Sequence, residues 1–121
     1  MIDKSQMIGT WRLAGFRFID GNGNPGRPED APKAGMLQYG PDGRLAVATR
    51  QPDGKLFAYF GKFELKGEEV HHHIELGSDP KLDGTTTKRK VSVEGDQLVL
   101  TADPPVLGGP GSKASLIWSR T

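Results

Sequence analysis

Closely spaced glycine and proline turns constrain the fold of this chain more than any other feature of its sequence. Turn signals such as Gly40-Pro41-Asp42-Gly43 and Glu94-Gly95-Asp96 separate short segments that are rich in β-branched and aromatic residues. No window has the sustained periodicity of a helix, and only residues 1–8 are expected to form a helical turn. The pattern predicts eight strands, at residues 10–19, 35–39, 44–50, 56–65, 69–76, 85–93, 97–101 and 114–120.

Strands that follow one another through short connections are typical of an antiparallel up-and-down meander. Closing the meander pairs both edge strands, and eight strands enclose an interior just wide enough for side chains or one small ligand. A chain of 121 residues has room for one core, so residues 1–121 are expected to form a single domain. We therefore predict an all-β fold, an eight-stranded antiparallel up-and-down barrel with a short N-terminal helical turn. Two stacked sheets are the alternative.

Charge and composition limit the partners that this chain is expected to have. The formal net charge is +1 and the basic residues are scattered, whereas nucleic acids and anionic membranes favour a clustered basic face. The chain has no cysteine for a disulfide or a zinc–thiolate site, and no apolar stretch of about 20 residues for a membrane helix. Residues 1–6 lack the pattern of a secretory signal. We expect a cytoplasmic protein with a small-molecule partner, no nucleic-acid or membrane partner and no cofactor; a homodimer is left open.

Side-chain alternation along a strand assigns residues to the barrel interior. On the predicted fifth and sixth strands the inward residues are Val70, His72, Ile74, Leu76, Thr87, Arg89, Val91 and Val93. His72 and Arg89 stand out among them, on neighbouring strands. Because an unpaired charge inside a barrel costs several kcal/mol, Arg89 needs water, a protein partner or a ligand anion. The pair predicts a polar spot in an apolar pocket, as a binding site requires; a purely structural role for each is the alternative.

The predicted fourth strand has aromatic residues on both faces, so its inward face is ambiguous. Tyr59 and Phe60 are adjacent, and Phe63 follows Gly61. A glycine inside a strand is typical of a bulge or kink, so Gly61 is expected to change the alternation there. We expect Phe63 and Leu65 to point inward and leave the direction of Tyr59 open.

Three consecutive histidines, His71 to His73, suggest a metal site, but alternation along a strand separates them. His71 and His73 share the outward face while His72 points inward. Two histidines on one face bind a divalent ion weakly, and a third ligand would have to come from elsewhere. We therefore predict no physiological metal site.

Motifs at the two ends of the chain resemble the lipocalin signature. Gly9-Thr10-Trp11 lies on the first strand and Arg120 lies near the end of the last. In that superfamily the tryptophan closes the barrel floor and the arginine packs over it, as a cation–π contact. The resemblance implies structural roles for Gly9, Trp11 and Arg120.

Further segments extend the resemblance to the bacterial and fungal lipocalin-like domain family. They are Gly40-Pro41-Asp42-Gly43-Arg44, Tyr59-Phe60-Gly61-Lys62-Phe63, Val70-His71-His72-His73, Gly84-Thr85-Thr86 with Arg89, Gly95-Asp96-Gln97-Leu98 and Leu116-Ile117-Trp118. The resemblance implies a calycin-type barrel, in a family that includes both carriers and cofactor-free cyclases or isomerases. The chain is shorter than many members between Arg50 and Tyr59, which implies an open mouth.

Three functions are compatible with these patterns. The first is binding of a small, mostly apolar ligand with an anionic or carbonyl group, which Arg89 would meet and His72 would hydrogen-bond. The cavity wall would be formed by Tyr39, Val47, Phe63, Leu100 and Trp118.

The second function is that of a cofactor-free cyclase, isomerase or lyase acting on a polyketide- or terpenoid-like substrate in the same cavity. His72 would move a proton, since the pKa of histidine lies near cellular pH. Arg89 would stabilise an enolate or carboxylate, and Tyr59 or Tyr39 would donate hydrogen bonds. The third is a structural barrel whose interior is filled by its own side chains.

Overall fold

Eight antiparallel strands close into a barrel in which each strand pairs with the next and the last pairs with the first. This computed structural model describes residues 2–19, 22–25, 31–102 and 113–121. The strands are β1 Gly9–Ile19, β2 Ala34–Tyr39, β3 Arg44–Arg50, β4 Leu56–Lys66, β5 Glu69–Gly77, β6 Thr86–Glu94, β7 Gln97–Ala102 and β8 Lys113–Arg120. The predicted up-and-down barrel is confirmed, and no strand boundary differs from its predicted position by more than one residue.

A single helical turn, α1 at Lys4–Met7, precedes the first strand. Asp3 caps it: its carboxylate accepts a hydrogen bond from the backbone of Ser5, and its own backbone N–H donates to the Gln6 side chain. Met7 is fully buried, so the turn closes one end of the barrel. No helix in the described ranges is long and apolar enough to cross a membrane.

Trp11 and Arg120 form the floor at this closed end. The Trp11 indole N–H donates to the Met7 carbonyl over 2.9 Å, and the Arg120 guanidinium lies 4.2 Å from the centre of the Trp11 ring. Arg120 also donates to the carbonyl of Ile8 over 2.8 Å. A Cβ at Gly9 would lie 2.5 Å from Arg120 Nη1, at a φ of +140° that favours glycine. The floor thus has the geometry that the resemblance implied.

The half of the barrel next to α1 is filled by its own side chains. Buried there are Met7, Trp11, Tyr39, Leu45, Phe63, Val70, Val91 and Leu98. Lys4 of α1 lies over the ring of Phe63, and the Phe63 and Tyr39 rings are 4.6 Å apart. Val93 lies on the predicted inward face, since it pairs with the buried Leu98, but it is 37% exposed because it lies beside the turn that ends β6.

A bulge in β5 reverses the side-chain alternation near the end of that strand. In the pairing of β5 with β4, Ile74 lies opposite Gly61 and Leu76 lies opposite Phe60. No residue of β4 lies opposite Glu75, which is therefore the extra residue of the bulge. Ile74 is buried, whereas Leu76 is 65% exposed. The predicted inward position of Leu76 is therefore wrong, because the extra residue turns it outward.

Gly61 faces this bulge without changing the alternation of β4. Tyr59 and Phe63 are both buried and Phe60 is exposed, so the odd-numbered side chains point inward on both sides of the glycine. A Cβ at Gly61 would collide with the backbone carbonyl of His73. The expected reversal in β4 is wrong because the extra residue lies in the partner strand, and the glycine lets that strand approach.

Candidate functional site

A cavity of about 380 Å³ lies inside the barrel, between the filled half and the end away from α1. Its wall includes Phe18 and Ala114, which pair at that end. The larger apolar residues of the wall are Phe16, Phe18, Leu37, Val47, Phe57, Leu100, Leu116 and Trp118, and the polar ones are Thr49, Gln51, Tyr59, His72 and Arg89. Both the volume and the mixture of an apolar wall with a few polar groups are typical of small-molecule sites.

The open mouth that the shorter segment after Arg50 implies stays a prediction, because residues 20–21, 26–30 and 103–112 lie outside the described part of the chain.

His72 lies at the boundary between the filled half and the cavity, held between two tyrosines. Its Nε2 is 2.7 Å from the Tyr39 hydroxyl, and its Nδ1 is 2.6 Å from the Tyr59 hydroxyl. The three residues come from β2, β5 and β4, and barrel closure brings them together. Tyr39 and His72 are 1% and 2% exposed, so both are almost completely withdrawn from water.

Burial keeps His72 neutral. Loss of hydration lowers the pKa of His72 to about 3, and the positive charge of Arg89 acts in the same direction. The expectation that His72 titrates near cellular pH is therefore wrong, because the imidazole lies in the interior and no carboxylate among the described residues is hydrogen-bonded to it. Burial also raises the pKa of Tyr39 well above its usual value and, to a smaller extent, that of Tyr59.

Arg89 is the cation of the cavity wall. It lies on β6, and its charge counteracts the burial that raises the pKa values of Tyr39 and Tyr59. Its Nη1 donates to the backbone carbonyl of Lys88 over 2.9 Å. In the part of the chain that the structure describes, no carboxylate lies within ion-pairing distance of Arg89. The guanidinium is therefore available to an anion or a carbonyl oxygen.

Two further polar groups near the cavity are buried and, in the described part of the chain, make no hydrogen bond of good geometry. Within the described residues these are the Thr87 hydroxyl and the Trp118 indole N–H. Thr87 pairs with His72 across β5 and β6, and its hydroxyl lies close enough to Tyr59 to lower the pKa of that phenol. Since buried polar groups are nearly always paired, the indole N–H of Trp118, which lines the cavity, favours a ligand that supplies an acceptor, whereas Thr87 lies against Tyr59 and does not line the cavity.

The structure divides the residues predicted for the cavity wall into two layers. Val47, Leu100 and Trp118 line the cavity together with His72, Arg89 and Tyr59. Tyr39 and Phe63 lie in the filled half instead, packed against each other with their rings tilted by 55°. Tyr39 therefore touches the site only through His72.

Sequence reasoning missed the aromatic residues that β1 contributes to the cavity. The pairing of β1 with β8 shifts between Leu13 and Gly15, which leaves Ala14 without a partner. Beyond this bulge the even-numbered Phe16 and Phe18 line the cavity. The change from odd-numbered to even-numbered apolar positions around Gly15 is the signal that could have revealed them.

His71 and His73 lie on the outer face of β5, where side chains of the protein hold them. His71 is 2.7 Å from Glu69, and His73 is 2.6 Å from Glu64 and 2.9 Å from Thr86. Across residues 2–19, 22–25, 31–102 and 113–121, no three histidine, aspartate or glutamate residues are grouped as metal ligands.

Apolar side chains are also exposed on the outer face of β2 to β5. Met36, Phe60 and Leu76 lie there, around the smaller Ala46 and Ala58. Whether the protein forms a homodimer, which the sequence leaves open, stays a prediction.

Comparison with known proteins identifies the family. A family model described as a lipocalin-like domain matches residues 51–121. The chain belongs to the lipocalin-like domain family. This lipocalin-like protein is 33% identical, over 105 residues, to the 4'-hydroxy-3'-methoxypropiophenone carrier protein ppsC of Aspergillus oryzae (strain ATCC 42149 / RIB 40). The match covers 79% of this chain and 89% of that carrier protein.

Solved structures have the same fold as this lipocalin-like protein. A lipocalin-like protein from Bacteroides uniformis ATCC 8492 superposes with a TM-score of 0.57 at 17% identity, covering 96% of this chain and 99% of the other. A de novo designed fluorescence-activating β-barrel superposes with a TM-score of 0.59 at 20% identity, over the full length of both chains. At these identities the likeness shows the fold alone.

Proposed function

We propose that this lipocalin-like protein is a carrier for a small, mostly apolar molecule with one carbonyl or anionic group. The observation that supports this function best is the position of Arg89. It is a cation without an ion-pairing carboxylate among the described residues, in the wall of an otherwise largely apolar cavity of about 380 Å³. Such a cavity stabilises a ligand by burying its apolar surface, and one charged group orients it.

The relative from Aspergillus oryzae supports this ligand class. Its name gives it an aryl ketone as cargo, with an aromatic ring, a short alkyl chain, a carbonyl and a phenol. A molecule of this kind suits the cavity, because Phe16, Phe57 and Leu116 provide an apolar wall. Its carbonyl or phenolic oxygen would meet Arg89 and Tyr59.

The chemistry of His72 favours a carrier over a cofactor-free cyclase, isomerase or lyase. A histidine with a pKa of about 3 is a weak base, and both of its nitrogens already face tyrosine hydroxyls. The cavity likewise favours a carrier over a structural barrel with a filled interior. We propose a cytoplasmic location, with which the absence of cysteine is compatible, and treat residues 1–121 as one domain.

Isothermal titration calorimetry with 4'-hydroxy-3'-methoxypropiophenone and with 3-phenylpropanoate tests the carrier function. We expect saturable binding of one molecule per chain. The variant Arg89→Gln is expected to weaken binding of the carboxylate by about tenfold or more, because it removes a charge-assisted hydrogen bond. Its matched control is Lys90→Gln, an exposed neighbour on the same strand, which is expected to bind like the unmodified protein.

Absence of binding for both compounds would contradict this ligand class. An Arg89→Gln variant that melts at a lower temperature but binds the carboxylate normally would make Arg89 a structural residue.

A further inference from the structure

The two tyrosines that hold His72 differ in their surroundings, and this difference sets the direction of the hydrogen bonds between them. His72 is 2% exposed and no carboxylate is hydrogen-bonded to it within the described chain, so its imidazole is neutral. A neutral imidazole has one N–H donor and one acceptor nitrogen. His72 therefore accepts a hydrogen bond from one tyrosine and donates one to the other.

Of the two tyrosines, Tyr39 must be the one that donates a hydrogen bond to His72. It is 1% exposed, it does not line the cavity, and within the described residues its hydroxyl is hydrogen-bonded only to His72 Nε2. If Nε2 carried the proton, the Tyr39 O–H would be buried without an acceptor, at a cost comparable to that of a lost hydrogen bond. Tyr39 therefore donates to Nε2, and the imidazole proton resides on Nδ1.

The proton of the Tyr59 hydroxyl is then free. His72 Nδ1–H donates to the Tyr59 oxygen over 2.6 Å, so Tyr59 does not use its own proton in that contact. Tyr59 lines the cavity, as Arg89 does, and the Thr87 hydroxyl beside it lowers the pKa of the phenol, as a donor to its oxygen does, so Thr87 does not take up the Tyr59 proton. Two donors, the Tyr59 O–H and the Arg89 guanidinium, thus serve the same end of the cavity.

We propose that Tyr59 selects the cargo by donating a hydrogen bond to an acceptor oxygen, with Tyr39 and His72 as positioning residues that fix this direction. This inference rests on the proposed carrier function and deepens it. The ligand class comprises ketones, aldehydes, phenolates and carboxylates with an apolar body. Amines are excluded, because an ammonium group would face two donors and a positive charge.

The test without a ligand is ¹⁵N NMR of histidine-labelled protein between pH 5 and 8. We expect His72 to carry its proton on Nδ1 throughout, and Tyr39→Phe to shift the population toward the form protonated at Nε2. The matched control is Phe63→Leu, which alters the ring that packs against Tyr39 without removing a hydroxyl. A proton on Nε2 in the unmodified protein would overturn the proposed direction.

The test with ligands compares propiophenone, propylbenzene and 1-phenylpropylamine by calorimetry. In the unmodified protein we expect the ketone to bind at least tenfold more tightly than the hydrocarbon, and the amine to bind more weakly than either. Tyr59→Phe is expected to bring the ratio of ketone to hydrocarbon affinity close to one. Tyr39→Phe is expected to lower it several-fold, although Tyr39 does not line the cavity, and Phe63→Leu should leave it unchanged.

The outcomes separate the two proposals. If the hydrocarbon and the ketone bind equally well to the unmodified protein, the carrier function stands and selection by Tyr59 fails. If none of the three compounds binds, the carrier function fails for this ligand class and selection fails with it, while NMR still reports the direction of the hydrogen bonds. The comparison of the three compounds needs only the unmodified protein, so it holds even if a variant does not fold.

Discussion

The two halves of the barrel interior are formed by the same eight strands but differ in the side chains that fill them. Next to α1, large buried side chains such as Trp11, Tyr39 and Phe63 occupy the interior. At the other end Ala102 and Ala114 take up less of the interior and leave a cavity of about 380 Å³. One half therefore stabilises the fold, while the other is available to a ligand.

His72 separates these halves and belongs to both. Its partner Tyr39 lies in the filled half, and its partner Tyr59 lines the cavity. The packed core is thus linked through His72 to the polar end of the cavity. Apart from Tyr39, which acts on the site through His72, substitutions in the filled half should therefore change stability, and substitutions in the cavity should change binding.

The largest effect is expected for Trp11→Ala in the floor. Removing the indole leaves a void and takes away both the hydrogen bond to Met7 and the stacking of Arg120, so we expect a loss of about 3–5 kcal/mol in the free energy of unfolding. Urea denaturation measures this loss. The matched variant Phe18→Ala, at the edge of the cavity, should cost much less. Equal losses would remove the distinction between the two halves.

Acidification is expected to have the next largest effect on the free energy of unfolding, because of His72. Its pKa is about 3 in the folded protein and about 6.5 in the unfolded chain, so between these values only the unfolded state binds the proton. Stability contributed by the neutral imidazole should therefore be present above pH 6.5 and fall by about 1.4 kcal/mol per pH unit on acidification toward pH 3.

Urea denaturation from pH 7 to pH 4 measures this slope. In His72→Gln the contribution should disappear, whereas His73→Gln, its neighbour on the outer face, should retain it. A slope unchanged in His72→Gln would assign the acid sensitivity to other groups.

A smaller effect is expected from filling the cavity. Leu116→Trp places a larger ring on the cavity wall and should weaken binding of the aryl ketone by about tenfold or more, while the melting temperature changes little because the ring enters empty space. Calorimetry and thermal denaturation measure the two quantities. Unchanged affinity would mean that the ketone binds elsewhere.

The smallest effect is expected for Leu76→Ala on the outer face of β5. Its side chain is 65% exposed, so the free energy of unfolding should change by less than about 0.5 kcal/mol. Ile74→Ala, two residues earlier and buried, should cost about 2–5 kcal/mol. Similar losses for the two variants would contradict the reversal at Glu75.

The strands could be predicted from the sequence because their ends depend on local chemistry. Turn signals such as Gly40-Pro41-Asp42-Gly43 act within a few residues, and the barrel follows from strand count and short connections. The inward direction of His72 also follows from simple alternation. Arg89 could be recognised for the same reason, as a charge at an inward position.

Other features depend on contacts between distant parts of the chain and could not be predicted. The unpaired residues Ala14 and Glu75 arise from how neighbouring strands pair, and each reverses the alternation beyond it. The contact of Tyr39 with His72 joins residues that are 33 positions apart, so the sequence alone did not show that His72 is held neutral. The strand pairing and the contact of Tyr39 with His72 are both set by tertiary structure rather than by local sequence preference.

The two tryptophans of the chain provide the most direct test, because each lies in one half of the barrel. The Trp11 indole is hydrogen-bonded in the floor, and Trp118 lines the cavity. A ¹H–¹⁵N NMR titration with 4'-hydroxy-3'-methoxypropiophenone follows both indole N–H signals at once. We predict a saturable shift of the Trp118 signal and no shift of the Trp11 signal. A Trp118 signal that stays unchanged at millimolar ketone, or a shift confined to Trp11, would contradict ligand binding in the cavity.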